Sequence, residues 1–282
     1  MLASAVGPKT LAEHRQYLFD IVRLKVWYIW KRLHTYPDEN VSFVLRERVD
    51  IYRKTDLNPE CMNPKILRYD DPKWMALEKA LEALWEETKD DAERFENEGF
   101  QIFCPTLDAR CERDFLERRY VLDYKCGSLT YDDPMPNDPQ RVSIHIANAR
   151  PPCSIFEPAS YLADCLQRVM EGAEQDFGAK ELQTSTWLNN HSRFLTYFPS
   201  CWRDRLSREN DDVRWNFSWW GQFLTARGTF NVKAGEQLRR TGKFPMPPRS
   251  SWCTFMELRI HLASYGNSNT LIASDTRPKY YA

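Results

Sequence analysis

Glycine is scarce in this sequence, and the glycine-rich motifs that cradle nucleotides are missing. Only 10 of the 282 residues are glycine, and neither GxGxxG nor GxxxxGKS/T occurs, which argues against a dinucleotide site or a P-loop. The GxSxG signature of hydrolases is absent as well, and the five histidines include no HExxH zinc motif. The common enzyme classes that carry these motifs therefore lose support.

Cysteine pairs, long apolar runs and an excess of one charge are also missing. The eight cysteines show neither CxxC nor zinc-type Cys/His spacing, so we expect free thiols and no structural zinc. No apolar run reaches the roughly 18 residues of a membrane span, and no secretory signal opens the chain, which together favour a cytoplasmic protein. Because 39 basic and 40 acidic residues leave a formal charge of −1, we expect no nucleic-acid partner.

Aromatic residues, by contrast, are abundant: the chain has 10 Trp, 13 Tyr and 15 Phe. Large aromatic side chains dominate protein cores and line apolar ligand pockets alike. The composition is therefore compatible with a hydrophobic small-molecule partner, and equally with aromatic residues that only fill the core.

Hydrophobic periodicity predicts a mainly helical chain. The predicted helices span residues 10–34, 41–54, 72–98, 158–176 and 254–264. Thr10 with Glu13, and Thr254 with Glu257, have the spacing of a capping box, and Pro72 suits the first turn of a helix. Neither an internal repeat nor a break in composition divides the chain. We therefore expect a single globular domain over 1–265, followed by a polar tail at 266–282.

A small β element is predicted within about 118–187. Residues 120–131 predict a hairpin that turns at Cys126–Gly127, and 141–147 and 181–187 predict two strands. The helix between these two strands permits a parallel pair. The expected fold class is therefore α+β, mainly α with a small β insert.

Two polar clusters follow the two predicted strands. His145 and Ser143 share one strand face, and Asn148 follows the strand end; a histidine there can act as an acid or base, or be a hydrogen-bonded structural residue. Trp187 ends the second strand, and Asn189 follows it. If the strands pair in parallel, both clusters lie at one edge of the sheet, a common place for ligand sites.

A third cluster, 214–223, combines five aromatic residues with a glutamine and is followed by Arg227. Such a run can form an apolar wall with one hydrogen-bonding point, although core packing explains it equally well. The candidate catalytic residues are therefore His145, Asn148 and Gln222, and the candidate substrate-binding residues are Trp187, Asn189, Trp219, Trp220, Phe223 and Arg227. We expect His145, Asn148, Trp187, Asn189, Trp220 and Gln222 to line one cavity.

Acidic pairs are candidate Mg²⁺ ligands, because this ion prefers carboxylate oxygens. The candidates are Asp70–Asp71, Asp90–Asp91 with Glu93 and Glu96, Asp132–Asp133, and Asn210 with Asp211–Asp212. None has the DDxxD spacing of ordinary class I terpene cyclases, and helix capping or a solvated surface explains each. We expect no metal and no other cofactor.

The three clusters resemble a group of largely uncharacterised fungal and bacterial proteins with a His-x-x-Asn…Trp-Leu-Asn…Trp-Gly-Gln-Phe pattern. The matching residues are His145 and Asn148, then 187–189, then 220–223, and the resemblance covers about 141–262. More faintly, the aromatic-rich helical chain is similar to atypical fungal natural-product cyclases, namely humulene-type terpene cyclases and Diels–Alderases. The terpene cyclases of this kind bind a diphosphate through Mg²⁺ and a lysine, and no residue here is assigned to that lysine.

Three functions remain open from the sequence. The first is a cofactor-independent cyclase or isomerase, such as a Diels–Alderase, acting on a terpenoid or polyketide by holding reacting atoms together. The second is a Mg²⁺-dependent atypical class I terpene cyclase. The third is a non-enzymatic protein that binds a hydrophobic ligand or a partner. The sequence does not indicate an oligomeric state.

Overall fold

The computed structural model describes residues 10–59, 67–117 and 124–272. In this part the chain is mainly helical, with one small sheet of four strands, which confirms the predicted α+β class. The α-helices are α1 (Leu11–Thr35), α2 (Val41–Phe43), α3 (Pro72–Thr88), α4 (Ala92–Leu116), α5 (Ala159–Phe177), α6 (Ser192–Leu195), α7 (Ser200–Asp204), α8 (Phe217–Trp220), α9 (Val232–Thr241) and α10 (Phe255–Ile272). The strands are β1 (Leu129–Tyr131), β2 (Arg141–Ile146), β3 (Glu181–Thr186) and β4 (Arg249–Thr254).

These elements form two compact units. Unit 1 contains the described residues 10–59, 67–117 and 211–245, and unit 2 contains 124–210 and 246–272. Because compactness does not decide whether the units fold separately, the single domain over 1–265 stays a prediction.

Local capping signals set the start of α1 in unit 1. The Thr10 side chain accepts a hydrogen bond from the Glu13 backbone N–H, and the Glu13 carboxylate accepts one from the Thr10 N–H at 2.8 Å. This reciprocal pair is the capping box that the sequence predicts. The helix then buries an apolar stripe that includes Ile21, Val22 and Ile29 in the core of unit 1.

Two predicted helices of unit 1 are interrupted. The helix predicted over 72–98 is divided, because Asp91 accepts a hydrogen bond from the Arg94 N–H at 2.9 Å and begins α4 as a new helix. The helix predicted over 41–54 is also wrong in extent: α2 passes into a π-helix at Val44–Val49, and a 3-10 turn follows at Tyr52–Lys54. Asp50 lies between the π-helix and the 3-10 turn. Its φ of 49° is a left-handed backbone conformation that residues other than glycine rarely adopt.

Helices α1, α3 and α4 pack closely around Gly99. A Cβ added at Gly99 would lie 2.8 Å from Val26 Cγ1 and 3.1 Å from Leu81 Cδ1, so no larger residue fits without movement. The same core contains buried aromatic residues, among them Trp74 and Phe103. Much of the aromatic content of the sequence is thus used in the core.

The sheet in unit 2 has the strand order β1-β2-β3-β4. Strands β2 and β3 are parallel, with Arg141 opposite Glu181, which confirms the predicted pairing, and α5 connects them. Strand β4 was not predicted; it pairs antiparallel with β3 along six residues. The hairpin predicted over 120–131 lies partly outside the described residues, although Cys126 and Leu129 form a β-bridge there.

Helix ends in unit 2 follow the predicted signals. Helix α5 ends at Gly178, which has a positive φ of 65° and satisfies the last carbonyls with its N–H. Helix α10 begins with the predicted capping box, since the Glu257 N–H donates to Thr254 Oγ1 at 3.1 Å and the Thr254 N–H donates to Glu257 Oε2 at 2.8 Å. It ends at Ile272, so it extends beyond the predicted helix end at 264 and into the predicted tail.

Candidate functional site

The first sequence cluster lies at the surface of unit 2. His145 projects from the exposed face of β2, and its Nε2 lies 2.6 Å from Asp132 Oδ2; both side chains are more than half exposed. Asn148 stabilises the loop after β2, because its Nδ2 donates to the Cys153 carbonyl and its Oδ1 accepts from the Arg150 N–H. The geometry thus gives His145 a hydrogen-bond partner and Asn148 a role in the turn.

The second cluster contains a fully buried amide. The Nδ2 of Asn189 donates to the carbonyls of Thr184, at 3.3 Å, and Arg249, at 2.6 Å, and its Oδ1 accepts from Trp202 Nε1 at 3.0 Å. Both amide protons are therefore used by protein groups, so Asn189 joins β3, β4 and α7 and has no proton left for a ligand. Trp187 is half-buried against the core of unit 2.

The third cluster belongs to unit 1. Trp219, Trp220 and Phe223 are buried in its core and surround Phe244 with ring centroids 5.0–5.6 Å apart. Gln222 is also buried, and its Nε2 donates to the Trp219 carbonyl at 2.8 Å. Arg227 is exposed in the turn between Thr225 and Thr229. Core packing therefore accounts for most of this cluster.

The candidates divide between the units: His145, Asn148, Trp187 and Asn189 lie in unit 2, whereas the 219–227 group lies in unit 1. A single cavity lined by six of them stays a prediction. Some of the acidic candidates have partners: Asp71 and Asp91 accept hydrogen bonds from the Lys73 and Arg94 N–H groups, and Glu96 pairs with Arg239. Among the described residues, no three His, Cys, Asp or Glu side chains are grouped as a metal site.

A cavity of about 50 Å³ lies within unit 1 and brings together residues that the sequence analysis did not select, apart from Trp220. Its floor is formed by Ile21, Lys25, Asp50 and Trp220, all of which are buried. Its rim is formed by more accessible side chains, namely Tyr17, Arg53, Lys54, Trp215 and Phe217. The cavity therefore combines cationic groups with aromatic walls.

Lys25 is the most unusual group of the floor. Its side chain is only 2% exposed, its Nζ donates to the Val49 carbonyl, and it lies 5.0 Å from the centre of the Trp220 ring. Burial lowers the pKa of Lys25 from 10.5 to about 7; the positive charge of Lys54 acts in the same direction, and Asp50 opposes both. Burial therefore brings the neutral form of the amine into the range of neutral pH.

The π-helix explains how Lys25 is held. The carbonyls of Arg48 and Val49 lie at the end of this helix, where no further turn satisfies them. Trp220 Nε1 donates to the Arg48 carbonyl at 3.0 Å, and Lys25 donates to that of Val49. A purely structural role for Lys25, closing the helix end, is thus an alternative to a chemical one.

Arg53 and Lys54 add further donors to the cavity. The Arg53 guanidinium pairs with Asp50 and lies 3.7 Å from the centre of the Trp215 ring, while its buried Nε has no hydrogen-bond partner in the described part of the chain. The Lys54 Nζ lies 5.6 Å from the centre of the Phe217 ring, and burial lowers the pKa of Lys54. Asp50, the one carboxylate of the lining, is already used by Arg53.

The cavity thus has more hydrogen-bond donors than acceptors. An ammonium group offers three protons and a guanidinium five, and neither accepts. A group that enters between Lys25, Arg53 and Lys54 is therefore best matched if it accepts hydrogen bonds, as a carbonyl or an anionic oxygen does.

One signal in the sequence pointed to this cavity and was missed. Lys25 occupies a position of the apolar stripe of α1 that continues from Leu18 and Val22 to Ile29. A lysine at such a position is either carried to the surface by its long stem or buried with a partner. The partner here is a carbonyl 24 residues further along the chain, which no local pattern indicates.

No protein family, curated protein or solved structure was found to match this chain. Among the described helices, none is both long and apolar enough to cross a membrane.

Proposed function

We propose that the chain is an enzyme, a cyclase or isomerase that acts on a hydrophobic metabolite, in which Lys25 transfers a proton. The observation that carries the proposal is the buried amine of Lys25 within an aromatic cavity. An acid–base group works best when its pKa lies near the working pH, and burial lowers the pKa of Lys25 to about 7. Strongly shifted groups in clefts are enriched at functional sites.

The hydrogen bond to Val49 suits Lys25 to proton transfer. A neutral amine keeps N–H groups to donate to the Val49 carbonyl and also has a lone pair that accepts a proton. In an isomerisation, a substrate C–H proton moves to Nζ, the electron pair of that bond forms a new double bond, and the electron pair of the original double bond shifts to the next carbon. Return of the proton to another carbon completes the reaction with no change in composition.

In a cyclisation, the protonated form of Lys25 has a different use. Its ammonium group would donate a hydrogen bond to a substrate carbonyl and draw electron density from the conjugated carbons. Trp215, Phe217 and Trp220 would hold the carbon skeleton near its reacting geometry. The face of Trp220, which already lies over the Lys25 ammonium, would favour positive charge that develops beside it.

A non-enzymatic ligand-binding protein is the second candidate, favoured by the excess of donors in the cavity. The same donors and aromatic walls would hold an acceptor-bearing hydrophobic ligand without reaction. The Mg²⁺-dependent terpene cyclase remains an alternative that no group of described residues specifically favours.

The test is turnover by the purified full-length chain. Farnesyl and geranylgeranyl diphosphates, and linear polyene aldehydes and carboxylic acids, are each incubated at pH 5–9, with and without EDTA, and products are identified by mass spectrometry. We expect a metal-independent product whose rate changes through pH 7. Lys25→Met should lower the rate about 10²-fold or more, whereas Lys233→Met, at an exposed lysine of α9, should leave it unchanged.

Each other outcome has a definite meaning. A folded Lys25→Met variant that keeps the wild-type rate would contradict the role of Lys25. Loss of the product in EDTA would support the Mg²⁺-dependent enzyme. Tight binding of a panel member that is recovered unchanged would support the binding protein.

A further inference from the structure

We infer that the Lys25 cavity binds a carboxylate group of its ligand, held by Arg53 and Lys54. This inference deepens the proposed function and rests on it for the identity of the site. It specifies the substrate class as a hydrophobic acid, whose carboxylate enters the cavity while its carbon chain lies against the aromatic rim.

Unused donors are the first argument. The Arg53 side chain is 10% exposed, and its Nε is buried without a partner among the described residues. A buried donor that lacks a partner costs about 1–3 kcal/mol, so a ligand, a water or an ion that accepts from it is stabilising. Lys54 likewise makes no hydrogen bond or ion pair with the described residues, and its Nζ lies over Phe217 instead. Both side chains line the same cavity.

Charge is the second argument. When Lys54 is protonated, Arg53 and Lys54 contribute two positive charges to the lining and Asp50 contributes one negative charge, so one positive charge remains even when Lys25 is neutral. A single carboxylate cancels that charge. Charge-assisted hydrogen bonds from a guanidinium or an ammonium to a carboxylate are among the strongest in proteins.

Size is the third argument. The cavity of about 50 Å³ is small beside the pockets of roughly 300–1,000 Å³ that hold drug-sized ligands. A carboxylate, with three non-hydrogen atoms, suits this space better than a diphosphate does. The rest of the ligand would then pass Trp215, half-buried, and Phe217, which is 44% exposed, and these rings suit an apolar chain.

The experiment compares octanoate with octanol, which share an alkyl chain and differ in the charged head group. Binding to the full-length protein is measured by titration calorimetry at pH 7. We expect octanoate to bind more tightly than octanol. Lys54→Met and Arg53→Lys should each weaken octanoate about 10- to 100-fold and leave octanol unchanged. Arg53→Lys keeps a cation beside Asp50 and removes Nε. The control Lys233→Met removes an exposed lysine of unit 1 and should bind octanoate as the wild type does.

Three results would overturn the inference: octanol binding as tightly as octanoate, equal octanoate affinity in all four proteins, or no octanoate binding. If octyl phosphate binds more tightly than octanoate, and Lys54→Met weakens its binding to the same extent, the ligand group of the cavity is a phosphate and not a carboxylate. Circular dichroism and the Tm show whether each variant is folded. If Lys54→Met does not fold, Arg53→Lys alone tests the inference. Binding without turnover in the panel would reject the enzyme and keep the carboxylate site, whereas turnover without octanoate binding would do the reverse.

Discussion

Replacing Lys25 by Met tests the electrostatics of the cavity without any substrate. Methionine is unbranched and apolar, so it suits the buried path of the lysine stem but carries no charge. The change therefore removes the group whose pKa burial lowers from 10.5 to about 7. We expect it to alter both the free energy of unfolding and the dependence of that energy on pH.

The sign follows from the two pKa values. Between pH 7 and 10.5 the unfolded chain holds a proton on Lys25 that the folded chain lacks, so the free energy of unfolding rises with pH across this window. Each pH unit contributes about 1.4 kcal/mol, or about 5 kcal/mol over the whole window. Below pH 7 both states are charged, and the folded protein bears the full cost of burying the ammonium.

Loss of the hydrogen bond to Val49 reduces the free energy of unfolding that Lys25→Met is expected to gain. Lys25→Met leaves the Val49 carbonyl without its donor, which costs about 1–3 kcal/mol. The variant should therefore unfold with about 3 kcal/mol more free energy than the wild type at pH 6, and with about the same free energy at pH 9. Groups that titrate in both proteins cancel in this comparison.

The assay is urea unfolding at pH 6, 7, 8 and 9, followed by tryptophan fluorescence. Seven of the ten tryptophans lie in unit 1, so the signal reports on the body that contains Lys25. Lys233→Met, at an exposed position, should follow the wild-type curve at every pH. If the curves of the wild type and Lys25→Met ran parallel from pH 6 to 9, Lys25 would have an ordinary pKa and the acid–base argument would be refuted.

Three further substitutions test the fold around the site. Asn189→Ala should lower the free energy of unfolding by about 2–4 kcal/mol, since it removes partners from Trp202 and two buried carbonyls; an unchanged urea midpoint would contradict the structural role. Gly99→Ala should lower the free energy of unfolding by about 1–3 kcal/mol, because the added methyl group would lie too close to Val26. An unchanged Tm in thermal unfolding would show that the helices move apart at little cost. The pKa of Glu257 is lowered to about 2 by its hydrogen bond with Arg205. Glu257→Gln should therefore remove stability that the wild type has above pH 4.5 and loses as the pH falls through about 2. If acid unfolding of the wild type and of Glu257→Gln coincided both below and above pH 4.5, the ion pair would not contribute to stability.

Elements with local signals were predicted well. The capping boxes at Thr10 and Thr254 place the starts of α1 and α10, because a cap involves residues only three positions apart. The parallel pair of β2 and β3 followed from two strands and the helix that connects them. Strand β4 was missed because its core-facing residues, Ser251 and Cys253, are small, whereas the large Trp252 is partly exposed.

The candidate site was predicted only in part, because it depends on tertiary partners. Trp220 was selected as part of an aromatic run, and it does line the cavity. The run itself gave no indication that Lys25 and Arg53 would face the same space. Lys25 is buried only because the π-helix ends with a carbonyl beside it, and six residues of π-helix have no established sequence signature. Conversely, Asn189 has the residue type of a ligand-binding group, but all its protons are taken by the backbone.

The discontinuity of unit 1 has a consequence for how the nascent chain acquires its structure. The helices up to α4 leave the ribosome before the segment 211–245 that supplies Trp219, Trp220 and Phe223 to the same core. About 90 residues of unit 2 separate them, so synthesis at roughly 5–20 residues per second leaves that apolar surface uncovered for roughly 5–20 s. Chaperone dependence should therefore be greatest for chains arrested just before residue 211. Cutting the chain at the first boundary between the units would likewise release a fragment without the floor and rim that Trp220 and Trp215 provide.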